Sequence, residues 1–328
     1  MIRFGIIGTG RIAKRFIKEL EHVEGASVSC VYNPHGIRAK EFVARLQDEI
    51  AEDVPTAVNG LSRYPIPEAH SELEDVWNKI DAVYIASPHA THIEYTIEAL
   101  SHGKHVLCEK PMALKKEDIK VILGTAKEKG LVLMEGLKTA YMPGFKSLIE
   151  TAKSGVIGDI VHVRATFTKL VDKDGREYTD KDAAGSFIEL GSYGMLAVFS
   201  LLGTNYKKVS FKTIKSEDGV DIFTVADFEY ENNFGEAATG IGVKSEGSLI
   251  ISGTKGYIVV PAPWWLTKHY EVHFEDPNKI LSYDNELKGD GLRYEIREFI
   301  KQVNDRKSLS DIEKISLAMA GVFEEYKK

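Results

Sequence analysis

The sequence predicts an α/β protein: an N-terminal doubly wound parallel sheet followed by an α+β domain with a large open, mostly antiparallel sheet. Three observations carry this. Short apolar runs alternate with helix-spaced segments through the first 136 residues. Period-two alternation replaces that pattern over 161–167 and 270–275, as in strands with one face covered. At 328 residues the chain exceeds one ordinary core and fits two domains, placed at 1–136 and 137–328.

Ile2-Arg3-Phe4-Gly5-Ile6-Ile7 reads as a strand ending in Gly8-Thr9-Gly10-Arg11-Ile12-Ala13, after which Ile12, Phe16, Ile17 and Leu20 keep helical spacing. Strand, tight turn and helix in that order make G-x-G-x-x-A a dinucleotide-binding fingerprint. Gly8 supplies the turn, Gly10 lets a pyrophosphate approach the main chain, and Ala13 lets helix and strand pack closely. The helix start presents N–H groups to the anion, with Thr9, Arg11 and Ile12 in the same loop.

Residues 26–32 form a second strand ending at Tyr32 and Asn33. A carboxylate at that place would bond the ribose hydroxyls of NAD; none is present, and His35 and Arg38 follow, which favours NADP and leaves NAD open. Residues 38–51 are helical, with Ala39, Phe42, Val43 and Leu46 on one face, followed by a polar stretch with an excursion at Tyr64-Pro65-Ile66-Pro67 and a helix over 68–78. Residues 80–86 have the apolarity of a strand buried on both faces and lead into Ser87-Pro88-His89-Ala90-Thr91-His92 and a helix over 93–102. Residues 105–108 form a short strand that delivers Glu109, Lys110 and Pro111 to the carboxyl edge, where open parallel sheets bind ligands. A helix over 115–129 and a strand over 131–135 complete the domain.

In the second half, 209–213, 222–230, 236–243 and 248–251 are further strands, 189–202 is a helix, and 312–326 is a terminal helix that can pack back on the first domain. An open sheet leaves one face uncovered, so a homodimer or homotetramer through that sheet is expected.

A net charge of −7 without a basic stripe excludes nucleic acid as the expected partner. No apolar run reaches membrane-span length and no signal-peptide pattern is present, which points to a cytoplasmic protein acting on a small molecule. Cys30 and Cys108 lie in strand-like runs and read as buried thiols. The acidic segment 172–178 lacks a calcium-loop pattern and reads as a solvated loop over the active site, so no metal is expected.

The stretches Gly8-Thr9-Gly10-Arg11-Ile12-Ala13, Ser87-Pro88-His89-Ala90-Thr91-His92 and Gly103-Lys104-His105-Val106-Leu107-Cys108-Glu109-Lys110-Pro111 together resemble the Gfo/Idh/MocA oxidoreductases. Glu189-Leu190-Gly191-Ser192-Tyr193 is similar to that family's D-x-G-x-Y or D-x-G-x-H signature, with Glu in place of Asp. Gly253-Thr254-Lys255-Gly256 and Val260-Pro261-Ala262-Pro263-Trp264-Trp265 are similar to a segment of the branch containing dimeric dihydrodiol dehydrogenase. The resemblance implies a Rossmann domain, an open-sheet domain, and hydride transfer between NAD or NADP and a CH–OH group of a sugar, inositol or related cyclic hydroxy compound. It places Ser87, Pro88, His89, His92 and Glu109 around the cofactor and Lys110 beside the nicotinamide.

Oxidising an alcohol carbon needs a base for the hydroxyl proton as hydride leaves. Tyr193 is the candidate acid/base, and Lys110 its partner, bonding the substrate oxygen and favouring the tyrosinate as a nearby cation. Glu189, four residues before Tyr193 on one helix face, is placed to orient substrate hydroxyls. Lys138 and Tyr141 are further cleft candidates, and Trp264 and Trp265 serve packing on the sheet face or stacking on a sugar or a partner subunit. Two rival readings stay open: a dinucleotide-binding regulator without chemistry, and an enzyme that recycles bound NAD during hydrolysis or elimination.

Overall fold

The computed structural model describes residues 1–52, 66–180, 184–306 and 310–328. Tyr64 and Pro65 of the expected excursion lie outside these residues. The chain divides into two compact units, one of 1–136 with 292–313 and one of 137–291 with 314–328.

The first unit alternates strand and helix: β1 (Ile2–Ile7), α1 (Arg11–Leu20), β2 (Ala26–Tyr32), α2 (Gly36–Glu52), β3 (Glu68–His70), α3 (Glu74–Trp77), β4 (Ala82–Ile85), α4 (His92–Ser101), β5 (His105–Glu109), α5 (Lys116–Glu128) and β6 (Leu133–Gly136). Its six strands run parallel in the order β3-β2-β1-β4-β5-β6. The order reverses between β1 and β4, the switch point at whose carboxyl ends ligands sit. Phe4, Ile6, Val83 and Tyr84 are fully buried, because helices cover both faces of a parallel sheet. Phe16 of α1 stacks on Tyr84 of β4 with ring centroids 3.8 Å apart, which fixes the helix over the switch point.

The expected helix over 68–78 is a correction. Glu68–His70 pairs with Cys30–Tyr32 as an edge strand, and helix follows for one turn only, Glu74–Trp77. Pro67 holds the incoming backbone extended, and an edge strand tolerates polar residues, so Glu68 and His70 carry no apolar alternation to read.

The second unit contains α6 (Lys138–Tyr141), α7 (Pro143–Lys153), β7 (Ile160–Thr168), α8 (Arg176–Thr179), α9 (Ser186–Leu202), β8 (Lys208–Lys215), β9 (Asp221–Glu229), β10 (Phe234–Gly240), β11 (Leu249–Gly253), β12 (Tyr257–Val260), β13 (His269–His273) and β14 (Ile280–Asp284). Its eight strands lie in the order β14-β13-β12-β11-β7-β10-β9-β8, antiparallel except for β7 with β10. Helix α9 covers one face. A Cβ on Gly194 would lie 2.7 Å from the Ala237 Cβ, so glycine lets this helix approach β10 closely. Asp221 anchors the start of α9: its Oδ2 accepts the Phe187 N–H at 2.8 Å, the Ser186 hydroxyl at 2.6 Å and the Thr224 hydroxyl at 3.0 Å. Burial pushes this carboxyl's pKa up, and the three donors oppose that. Asp221→Ala, which removes the cap and orphans buried donors, is expected to cost about 2 kcal/mol in urea unfolding.

Two helices close the chain, α10 (Leu292–Asp305) and α11 (Ser310–Tyr326). The terminal helix was the candidate for joining the first domain; instead α10 does so, Phe299 packing on Phe4 at 5.5 Å between ring centroids. In α11, Phe323 and Tyr326 pack on Phe187 in the second unit at 5.6 and 4.8 Å. Buried aromatic partners, which helical spacing alone does not reveal, decide where each helix goes.

Candidate active site

In the first unit the site begins where β1 ends. Gly8 has φ +112°, and a Cβ there would stand 2.5 Å from the Ala86 carbonyl oxygen, so only glycine allows β1 and β4 to release their loops this close together. Gly10 precedes α1 with no side-chain cap, and a Cβ on it would meet nothing within 4 Å. That open space at uncapped helix N–H groups fits a pyrophosphate. Thr9 is tied to the end of β2 by an Asn33 Nδ2 bond to Thr9 Oγ1 of 2.9 Å. Arg11 is exposed and Ile12 half-buried at the helix start.

At the end of β2, Asn33 Oδ1 accepts the His35 N–H at 2.9 Å, an Asx turn that leads into α2. His35 and Arg38 are exposed at the start of α2. Tyr32, at the end of the same strand, is 8% exposed and packs edge-on to Tyr95 at 6.0 Å.

After β4, Ser87 is half-buried, Pro88 is exposed and His89 begins a single turn through Thr91. Thr91 Oγ1 donates to Ser87 Oγ at 2.7 Å, closing that loop. His92, expected at the cofactor, is fully buried, and its Nδ1 and Nε2 lie 2.9 Å from the carbonyl oxygens of Pro111 and Ser87. Each ring nitrogen thus faces a main-chain carbonyl, and the neutral ring donates to one of them. Glu109, at the end of β5, accepts the Tyr84 hydroxyl at 2.5 Å and the Lys110 N–H at 3.2 Å. Burial and the Glu109 carboxylate hold the Tyr84 phenol in its protonated form. Lys110 itself is half-buried, directly beyond the sheet edge.

In the second unit, Tyr193 is half-buried on α9, and its ring meets Phe167 edge-on at 4.8 Å. Phe167 stacks on Trp265 at 3.6 Å with planes 8° apart. Leu190, Val220 and Ile241 complete this apolar patch, against which Val171 and Tyr178 pack. Glu189, four residues before Tyr193, receives Arg176 Nη2 at 2.6 Å, so its carboxylate is engaged by a guanidinium from the polar segment after β7. Trp264 is a core residue, fully buried with Nε1 donating to Thr166 O at 2.9 Å; Trp265 is the one that forms the aromatic wall. Lys138 Nζ donates to Asp290 O at 2.8 Å and Tyr141 is buried, so both brace their own unit. Sequence reading missed Arg176 and Phe167 as neighbours of the candidate catalytic residues; their only signal was place, Arg176 in a polar loop and Phe167 in an alternating strand.

Residues 2–137 match the model described as an oxidoreductase family with an NAD-binding Rossmann fold, and 145–259 match the GFO/IDH/MocA C-terminal domain. The chain belongs to the Gfo/Idh/MocA oxidoreductase family. It is 28% identical to scyllo-inositol 2-dehydrogenase (NADP(+)) IolU of Bacillus subtilis, over 100% of this chain and 97% of that one. It is 27% identical to the trans-1,2-dihydrobenzene-1,2-diol dehydrogenase of Sus scrofa, over 100% and 96%. Among solved structures, KijD10, a 3-ketoreductase from Actinomadura kijaniata in complex with NADP and TDP-benzene, superposes with a TM-score of 0.83 at 22% identity, covering 98% of this chain and 96% of that one, a likeness of fold. No described helix is long and apolar enough to cross a membrane.

Proposed function

We propose that this enzyme transfers a hydride between NADP, in preference to NAD, and the CH–OH carbon of a cyclic polyol, sugar or related alicyclic compound. The observation that carries the reading is the carboxyl edge of the first sheet, where the open Gly10 helix start and Lys110 lie at the ends of β1 and β5. When bound, the nicotinamide supplies the hydride acceptor or donor. Gly8, Thr9, Gly10, Arg11 and Ile12 cradle the pyrophosphate, Asn33 and Arg38 sort the adenosine end, and Ser87, Pro88, His89 and Glu109 shape the rest of that edge. Lys110 bonds the reacting oxygen and stabilises negative charge on it. Tyr193 gives or takes the hydroxyl proton, and Glu189, charge-balanced by Arg176, accepts from a neighbouring substrate hydroxyl.

The aromatic wall of Phe167 and Trp265 offers a flat apolar surface to the C–H face of a ring. Trp265→Ala is expected to raise the KM for the best cyclic substrate about tenfold, with NADPH affinity unchanged. Fluorescence titration tests the cofactor assignment: Arg38→Ala should weaken NADPH at least about tenfold and leave NADH within about twofold, as removal of a phosphate-pairing guanidinium predicts. Equal weakening of both nucleotides would make Arg38 a structural residue of α2.

Phe234, Tyr257, Ile214 and Ile280 are 52%, 42%, 57% and 44% exposed on the sheet face opposite α9, which supports a homodimer or homotetramer joined through that face. The cytoplasm is the compartment this reading assigns, consistent with the two buried free cysteines.

A further inference from the structure

The segment carrying Lys110 is held by side chains at each successive residue. Glu109 Oε2 accepts the Lys110 N–H at 3.2 Å, and Glu135 Oε1 accepts the Met112 N–H at 2.8 Å. Glu109 is itself braced by the Tyr84 hydroxyl at 2.5 Å. Between these two anchors, the Pro111 carbonyl takes its partner from the other loop of the switch point: His92 Nδ1 at 2.9 Å. The far side of the same ring, Nε2, lies 2.9 Å from Ser87 O. His92 therefore spans the gap between the loop leaving β4 and the segment leaving β5, and with 0% exposure it does so without meeting solvent.

We propose that His92 is a positioning residue for Lys110, its imidazole wedged between Ser87 O and Pro111 O and donating to one of them, so that the lysine leaves the main chain in one fixed direction. The inference rests on the role given to Lys110 above. Its chemistry is specific. Carbonyl oxygens only accept, so both bonds form together when both ring nitrogens donate, whereas a neutral ring donates to one carbonyl and turns a lone pair to the other. Burial holds the His92 pKa below its ordinary value against the two carbonyls and the Glu109 carboxylate, so the ring is neutral, donates to one carbonyl and lies in contact with the other. An aliphatic residue of similar size fills the space but joins neither carbonyl. The Pro111 carbonyl then loses its imidazole partner, and between the Glu109 and Glu135 anchors the segment is no longer braced against the Ser87 loop.

Amine-reactive labelling of Lys110, resolved by peptide mass spectrometry with and without saturating NADPH, tests this in the full-length protein. In the unaltered chain NADPH should slow Lys110 labelling; equal rates with and without it would overturn the Lys110 role itself. In His92→Leu, with NADPH affinity matched by titration, the protection should fall about tenfold or more, as expected when a reacting group is displaced by about 1 Å. Turnover of NADP with scyllo-inositol or the best polyol should fall alongside, in kcat and not in cofactor KM. Imidazole added to His92→Gly should restore protection, an effect that lost packing alone would not produce. Full protection in folded His92→Leu, or a glycine variant insensitive to imidazole, would overturn the proposal.

Discussion

Lys110→Met is expected to lower kcat by about a hundredfold to ten-thousandfold while the NADPH Kd stays within about threefold, the range for a residue acting on the proton in flight. Methionine keeps the length and apolar stem of the lysine and removes only the ammonium. Because Glu109 and Glu135 hold the main chain on either side, the segment should keep its course in the variant. The loss then falls on the oxygen whose charge changes as hydride moves. Tyr193→Phe should show a similar drop, and the double variant should fall little further, since two groups serving one proton transfer are not additive. Steady-state kinetics with parallel fluorescence titrations decide it. Equal losses in kcat and NADPH affinity would make Lys110 a nucleotide ligand instead.

Arg293→Met is expected to destabilise the protein by about 3–5 kcal/mol, the cost of leaving one member of a buried pair without its partner. Arg293 Nε and Nη2 each donate to the Glu19 carboxylate at 2.8 Å, and the Arg293 N–H adds a third bond at 3.2 Å. The two side chains are 12% and 10% exposed, so water screens the pair little. This clamp joins α10 to α1, and α1 presents the pyrophosphate loop. Urea unfolding of the variant should give a lower midpoint with an unchanged slope. Glu19→Leu combined with Arg293→Met should recover much of the loss, because the buried charge is gone. A single variant that loses less than about 1 kcal/mol would place this pair with exposed ion pairs.

The first unit was legible because its signals are local. β1, the glycine turn and α1 occupy consecutive residues, and doubly buried strands such as β4 announce themselves by apolarity alone. Glu68–His70 escaped because an edge strand of three residues, two of them polar, has no period, and the spacing of Leu73, Val76 and Trp77 imitates a longer helix. β12, β14, α7 and α10 were not anticipated; the strands are only four and five residues long, and α10 finds its place through Glu19 and Phe4, far away in sequence.

Candidate chemistry was legible as residue types at strand ends and on one helix face. What each side chain touches was not. That His92 sits between two main-chain carbonyls, that Glu189 meets Arg176 and that Tyr32 packs on Tyr95 depend on which loops the sheets bring together. Spacing along the chain cannot encode such pairings, because each partner comes from a separate element.

Isotope transfer tests the hydride assignment most directly. The protein would be incubated with NADPH deuterated at the transferring position and the ketone of its best cyclic polyol, and the product examined by mass spectrometry. The account predicts one deuterium on the newly formed CH–OH carbon, one NADP released per product, and loss of both in Lys110→Met. A product without deuterium, formed while the nucleotide stays bound and unchanged in amount, would contradict net hydride transfer and make the nucleotide a recycled aid to another reaction.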